Sequence, residues 1–297
     1  MGIIKKTKST ITHTIREENI MIIDVHTHTF PDRIAASAIA KMENDILVSQ
    51  NFVVKAEKKG TFDDLSESTI EAGIDLSLIC PVATNISQPE KINRMAVEIN
   101  DRSSETHLFT LGAIHPDCEN YKEIINEIVA MELPGIKIHP DYQKVNFDDD
   151  RYIRIMDYAA DKGLVIITHA GEDVGLPGTI HCTPDKVLNV WKHIQPEKLV
   201  LAHMGGWRCW NEVEEKIVGL PVYFDTAVVS NKNVPIHISD EQLVRMIRNH
   251  GVDRILFGTD SPWYDQATAL NDIRKSGLNE EELKLVLGEN AKKLFRF

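Results

Sequence analysis

Basic residues are in short supply: 33 Lys and Arg stand against 45 Asp and Glu, a net charge of -12 over 297 residues. A polyphosphate backbone attracts proteins through a positive footprint, so no nucleic-acid partner is expected. Cysteine is scarce too. Cys80, Cys118, Cys182 and Cys209 lie far apart with no CxxC pair, which argues against a disulfide framework and a thiolate zinc site and fits a reducing, cytoplasmic setting. Nowhere do 18 apolar residues run together, and residues 1–20 carry Lys and Thr but no apolar leader core. Neither a membrane span nor export is therefore expected. That stretch reads as an N-terminal extension, either a flexible tail or a segment upstream of the natural start. Low-complexity tracts and Pro/Gly linkers are also missing, so residues 21–297 are expected to form a single domain.

What is present is an alternation. Eight short apolar or β-branched runs recur: Met21 to His26, Asp75 to Pro81, Leu108 to Ile114, Gly135 to His139, Leu164 to His169, Leu199 to His203, Pro221 to Asp225 and Arg254 to Gly258. Most precede a stretch of 3.6-residue apolar periodicity, the order that builds a parallel sheet with helices outside. Eight such units predict an α/β fold of the (β/α)8 TIM-barrel type, whose active site lies where the strands end. Five of the twelve histidines fall at such exits. About 48 residues separate the first two runs, an insertion after the first strand. Helices are expected over Asp32 to Val48 and Phe62 to Ala72. Phe52 to Gly60 between them is either a flap over the barrel mouth or a packed excursion. A closing helix is expected over Glu280 to Leu294.

In Asp24-Val-His26-Thr-His28-Thr, two histidines two apart on a strand share a face and can converge on one ion. Ile-Ile-Thr-His169-Ala-Gly, Leu-Ala-His203-Met-Gly-Gly and Phe-Gly-Thr-Asp260-Ser-Pro-Trp end later runs. Imidazole nitrogen and carboxylate oxygen together suit zinc, with manganese or iron as alternatives. On these motifs the chain, from Met21 to its C-terminus, resembles the amidohydrolase superfamily, in particular the amidohydrolase-related group that includes non-oxidative decarboxylases. The resemblance implies His26, His28 and His169 as metal ligands and Asp260 as a ligand that also moves protons. It implies that His203 either binds a second metal or polarises substrate and water. These barrels often form homodimers.

Four further residues are candidate substrate contacts. Lys137 and His139 share a face of the fourth run; the resemblance also allows a carboxylated Lys137 bridging two metals, and a structural lysine is the third option. With no acidic residue in that run, one metal per chain is expected. His181 lies in the loop after the fifth run. Arg208, beside Trp207 and Trp210, could pair its planar fork with a substrate carboxylate or make an ordinary surface ion pair. The favoured activity is hydrolysis of a C–N or C–O bond in a small, anionic amide, lactone or ester, by water whose pKa a metal lowers from near 16 to about 7. The alternative is decarboxylation of a small carboxylic acid in the same site. A catalytically silent metal-binding barrel is disfavoured because no ligand or base is missing.

Overall fold

The computed structural model describes residues 20–176 and 178–297. Residues 1–19 of the expected extension lie outside them. Each of the eight expected runs forms a strand: β1 (Ile23–Thr27), β2 (Leu76–Ile79), β3 (Leu108–Thr110) and β4 (Gly112–Ala113), β5 (Gly135–Ile138), β6 (Val165–Thr168), β7 (Leu199–Leu201), β8 (Tyr223–Asp225) and β9 (Ile255–Leu256). All paired strands run parallel, β1 to β3 in order and β4 to β9 in order. β3 and β4 are two halves of one stave: the Leu111 N–H donates back to Ile79 O, while the next residue, Gly112, already pairs with Ile136 of β5. The first and last staves also meet. The Val25 N–H donates to Phe257 O and the Asp260 N–H to His26 O, and Thr27 bridges Ser261.

Alternation along the strands sorts the core. Ile136 and Ile138 pack with helix residues such as Ile125 and Ile155 in one apolar cluster, whereas Ile23, Val25, Leu78, Leu111, Val165, Ile167, Val200 and Leu256 form another, covered by Ala291, Leu294 and Phe295. The second set fills the barrel, and Lys137, between Ile136 and Ile138, therefore faces the axis. Outside, the helix Asp150–Asp161 shows the usual logic. Tyr152, Ile155, Met156 and Ala159 are its buried stripe, and the Asp149 side chain caps its first turn by accepting from the Arg151 N–H.

The insertion after β1 contains the two expected helices, Asp32–Gln50 and Phe62–Glu71. The connecting segment is a packed excursion rather than a free flap. Pro262 O accepts from the N–H groups of Glu57 and Lys58, Lys58 pairs with Asp265, and the Glu57 carboxylate accepts from Asn231, Asn233 and the Asp265 N–H. Among the described residues no helix is long and apolar enough to cross a membrane. All four cysteines are free thiols.

Candidate active site

The strand exits deliver His26, His28, His139, His169, His203 and Asp260 to one cavity of about 1460 Å3. β1 is irregular between Asp24 and Thr27, and the irregularity splits two neighbours. Asp24 is held by Thr259, Gln266 and the His26 N–H, whereas His26 reaches Lys137 and Asp225. His203 and Asp260 both adopt the left-handed backbone region (φ 58° and 64°), a costly conformation for residues with a Cβ that recurs where a site dictates the chain path.

The partners of the histidines fix their tautomers. His26 Nδ1 donates to Asp225 Oδ2 at 2.9 Å and His28 Nδ1 to the Cys80 carbonyl at 3.0 Å. Each Nε2 therefore carries a lone pair, and the two face one another at 3.2 Å. Neither can donate to the other. Asp260 Oδ1 stands 3.2 Å from His28 Nε2 and 3.7 Å from His26 Nε2. Bonds of about 2.0–2.2 Å to one cation put ligand atoms about 3.0–3.5 Å apart, so the three donors fit a divalent metal. Burial, reinforced by the Lys137 ammonium and opposed by Asp225, lowers the His26 pKa to about 4. Burial alone would raise Asp260, but the His28, His26 and His203 imidazoles around it hold its carboxyl well below the usual range. Neutral imidazoles and an ionised carboxylate are the forms a metal needs.

His169 stands one imidazole further off. Its Nδ1 donates to His203 Nε2 at 3.0 Å, while His203 Nδ1 donates to the Ala227 carbonyl. Both nitrogens of His203 are thus engaged in this arrangement. His169 Nε2 is buried without a partner, and burial pushes His169 well below the ordinary imidazole value. It stacks on His139 at 4.3 Å and falls in a second donor group with His139 and Asp173.

Of the four candidate substrate contacts, only His139 lines the cavity. Lys137 is fully buried beneath it and donates to His26 Nε2 at 2.9 Å. His181 instead holds Asp141, Nδ1 to Oδ1 at 2.9 Å. Arg208 is committed to Glu172 and Gln50, each at 2.9 Å, because its loop packs beside the helix Asp32–Gln50.

Two groups not singled out in the sequence are prominent here. Asp173 lines the cavity with Oδ2 3.4 Å from His139 Nε2, and burial raises its pKa to about 7, the Gly175 N–H opposing. The Trp207 indole N–H is buried without a partner on a cavity-lining residue. Gly171 makes the Trp207 placement feasible: at φ +83° its Cα passes so close that a Cβ would sit 2.1 Å from Trp207 N. The Gly in His-Ala-Gly was a visible signal; Asp173 offered none until the loop folded over the mouth.

The amidohydrolase family profile matches residues 23–297. The chain belongs to the amidohydrolase family. Among solved structures it is similar to 5-carboxyvanillate decarboxylase from Sphingomonas paucimobilis, at 16% identity over 94% of this chain and 99% of that one, with a TM-score of 0.67. An uncharacterized TIM-barrel protein from Bordetella bronchiseptica aligns with a TM-score of 0.74 at 16% identity, covering 93% and 98%. A dihydroxybenzoic acid decarboxylase from Polaromonas sp. JS666, with bound manganese and the inhibitor 2-nitroresorcinol, aligns at 0.64 and 14% identity, covering 93% and 96%. At such identities the likeness carries the TIM-barrel fold. No curated protein matches the sequence.

Proposed function

We propose that this protein is a metal-dependent, non-oxidative decarboxylase of a small hydroxylated aromatic acid. The observation that carries the reading is one cavity holding a His/Asp donor set, a protonatable Asp173 and apolar walls that include Phe30, Trp207 and Trp263. Two structural relatives, the 5-carboxyvanillate decarboxylase and the dihydroxybenzoic acid decarboxylase, support this reaction over the hydrolysis that the sequence favoured.

His26, His28 and Asp260 would hold the divalent ion. Asp225 and the Cys80 carbonyl keep the first two imidazoles turned inward. When bound, such an ion would supply Lewis acidity that stabilises negative charge on substrate oxygen; zinc, manganese and iron all suit these donors. The ring carbon that bears the carboxylate takes a proton, using an electron pair of the hydroxyl-activated ring; the C–C bond then breaks, its electron pair returns to the ring and carbon dioxide leaves.

Asp260, held ionised, is a poor proton source. Asp173 is a better one, since a pKa of about 7 leaves about half of it protonated at neutral pH. Hydrolysis is the second reading, on one observation: an ionised Asp260 beside the donor set is also the state a general base needs. The test is the metal-loaded enzyme with hydroxybenzoates, assayed for carbon dioxide and the matching phenol. We expect both in equal amounts, and Asp173→Asn should lower kcat by about 100- to 10,000-fold with metal content unchanged. Turnover of amides or lactones without carbon dioxide would move the assignment to hydrolysis.

A further inference from the structure

The cavity is far larger than a hydroxybenzoate ring requires. Its volume of about 1460 Å3 exceeds the ~300–1,000 Å3 usual for sites that enclose drug-sized ligands. The chemistry occupies one end, at His26, His28, His169, Asp173 and Asp260. Beyond Cys80 and Pro81 the lining includes Phe62 on the helix Phe62–Glu71 and Ile92, Met95 and Ile99 on the helix Pro89–Asn100, with Lys91, Glu98 and Arg102 as its charged members. Ile79 of β2 forms the wall beneath. Phe62 and Ile99 are only partly buried against the small cluster of Leu65, Ile79 and Leu108, and Met95 remains 42% exposed. A wholly polar substrate would leave these walls wet.

We infer that this extension is a subsite for an apolar tail, and that the substrate is an aromatic acid carrying an alkyl or similar unbranched chain that runs from the ring between the two helices. The inference rests on the decarboxylase reading for the ring end only. Continuity with the donor set makes the tail part of the same molecule rather than a separate ligand, and Met95 suits a flexible chain because its unbranched thioether adapts to shape. Ile79, Ile92, Met95 and Ile99 offer the chain only apolar contact, while Lys91, Glu98 and Arg102 are exposed and can keep their charges in water. Selection for chain length then comes from area buried on the apolar residues, about fourfold per methylene at full burial.

The experiment uses the metal-loaded full chain and a series of 2,6-dihydroxybenzoates bearing hydrogen, methyl, pentyl or undecyl opposite the carboxylate, in two arms. In the first arm, carbon dioxide release should show kcat/KM rising from hydrogen to pentyl by about 30-fold or more, carried mainly by KM. In the second, displacement of the fluorescent probe 1-anilinonaphthalene-8-sulfonate measures binding without turnover, and the same order is expected. Ile99→Arg and Met95→Arg, both close to the protein surface, should collapse the pentyl-to-hydrogen ratio toward one in both arms. Circular dichroism spectra matching the parent confirm folding. If no homologue releases carbon dioxide but binding still climbs with chain length, the decarboxylase reading fails and the tail subsite stands. Flat or falling affinity along the series, or a ratio unmoved in both variants, overturns the subsite whatever the reaction.

Discussion

Asp225 shows how one residue can set a site without touching substrate. Its Oδ2 accepts from His26 Nδ1 while Oδ1 accepts from the N–H groups of His203 and Ala227. Burial alone would raise its pKa, but His26 pulls the carboxyl below its ordinary value. Asp225→Asn would present His26 with either a weaker acceptor or a second donor, and metal affinity should fall about 10- to 100-fold. Competition against a chelator measures it; an unchanged constant would mean that His26 needs no orienting partner. Asp173 makes a pH-dependent statement. Its folded pKa is raised to about 7 from 3.8, so the stability linked to its neutral form is complete below about 4 and is lost as pH rises through about 7. Asp173→Asn should therefore be more stable than the parent at pH 8, by about 1–3 kcal/mol, and equal to it near pH 4. Urea midpoints at the two pH values decide, and no gain at pH 8 would show that the carboxylate is not penalised there. The grouping of His26, His28 and Asp260 was legible because metal-ligand types at strand ends are rare for packing reasons. Arg208 was not: a guanidinium after a strand can serve a substrate or a neighbour, and only the helix Asp32–Gln50, placed by the fold, supplies Gln50 beside Glu172.

At the scale of elements, apolar or β-branched runs announced every strand, while the ends depended on contacts that no run contains. The break at Leu111 arises where one stave changes partner from β2 to β5. The segment 52–60 could be read two ways because its anchors, Pro262, Asp265 and Asn231, lie some 200 residues away in sequence. Glu57→Ala removes three accepted hydrogen bonds and should raise amide exchange across residues 52–60 and loosen the mouth; protection equal to the parent would show the strap is held by Lys58 and backbone alone. The closing helix was also anticipated, although it is interrupted by a π-helical turn over Leu285–Glu289. Gly288 lies in that turn, where a Cβ would come 1.6 Å from Met21 O. Backbone cannot retreat cheaply at the start of β1. Gly288→Ala is expected to destabilise by about 1–3 kcal/mol, read as a lower urea midpoint with an unchanged slope, and a change under about 0.5 kcal/mol would mean that β1 yields.

For the whole molecule, the barrel puts neutral imidazoles, an ionised Asp260 and a protonatable Asp173 into one apolar-walled space. The first two features could be read from residue order. The third could not, because the pKa of Asp173 comes from burial that exists only once loop and barrel close together. The difference between hydrolysis and decarboxylation rests on that third feature, since one needs a base toward water and the other a proton for carbon. The most direct measurement runs the metal-loaded enzyme in deuterium oxide on a hydroxybenzoate that it consumes, with product mass and carbon-13 spectra recorded. The account expects carbon dioxide and a phenol carrying one deuterium at the vacated ring carbon, with the rate cut in Asp173→Asn. A product that keeps its carboxyl group and gains oxygen from labelled water would contradict it.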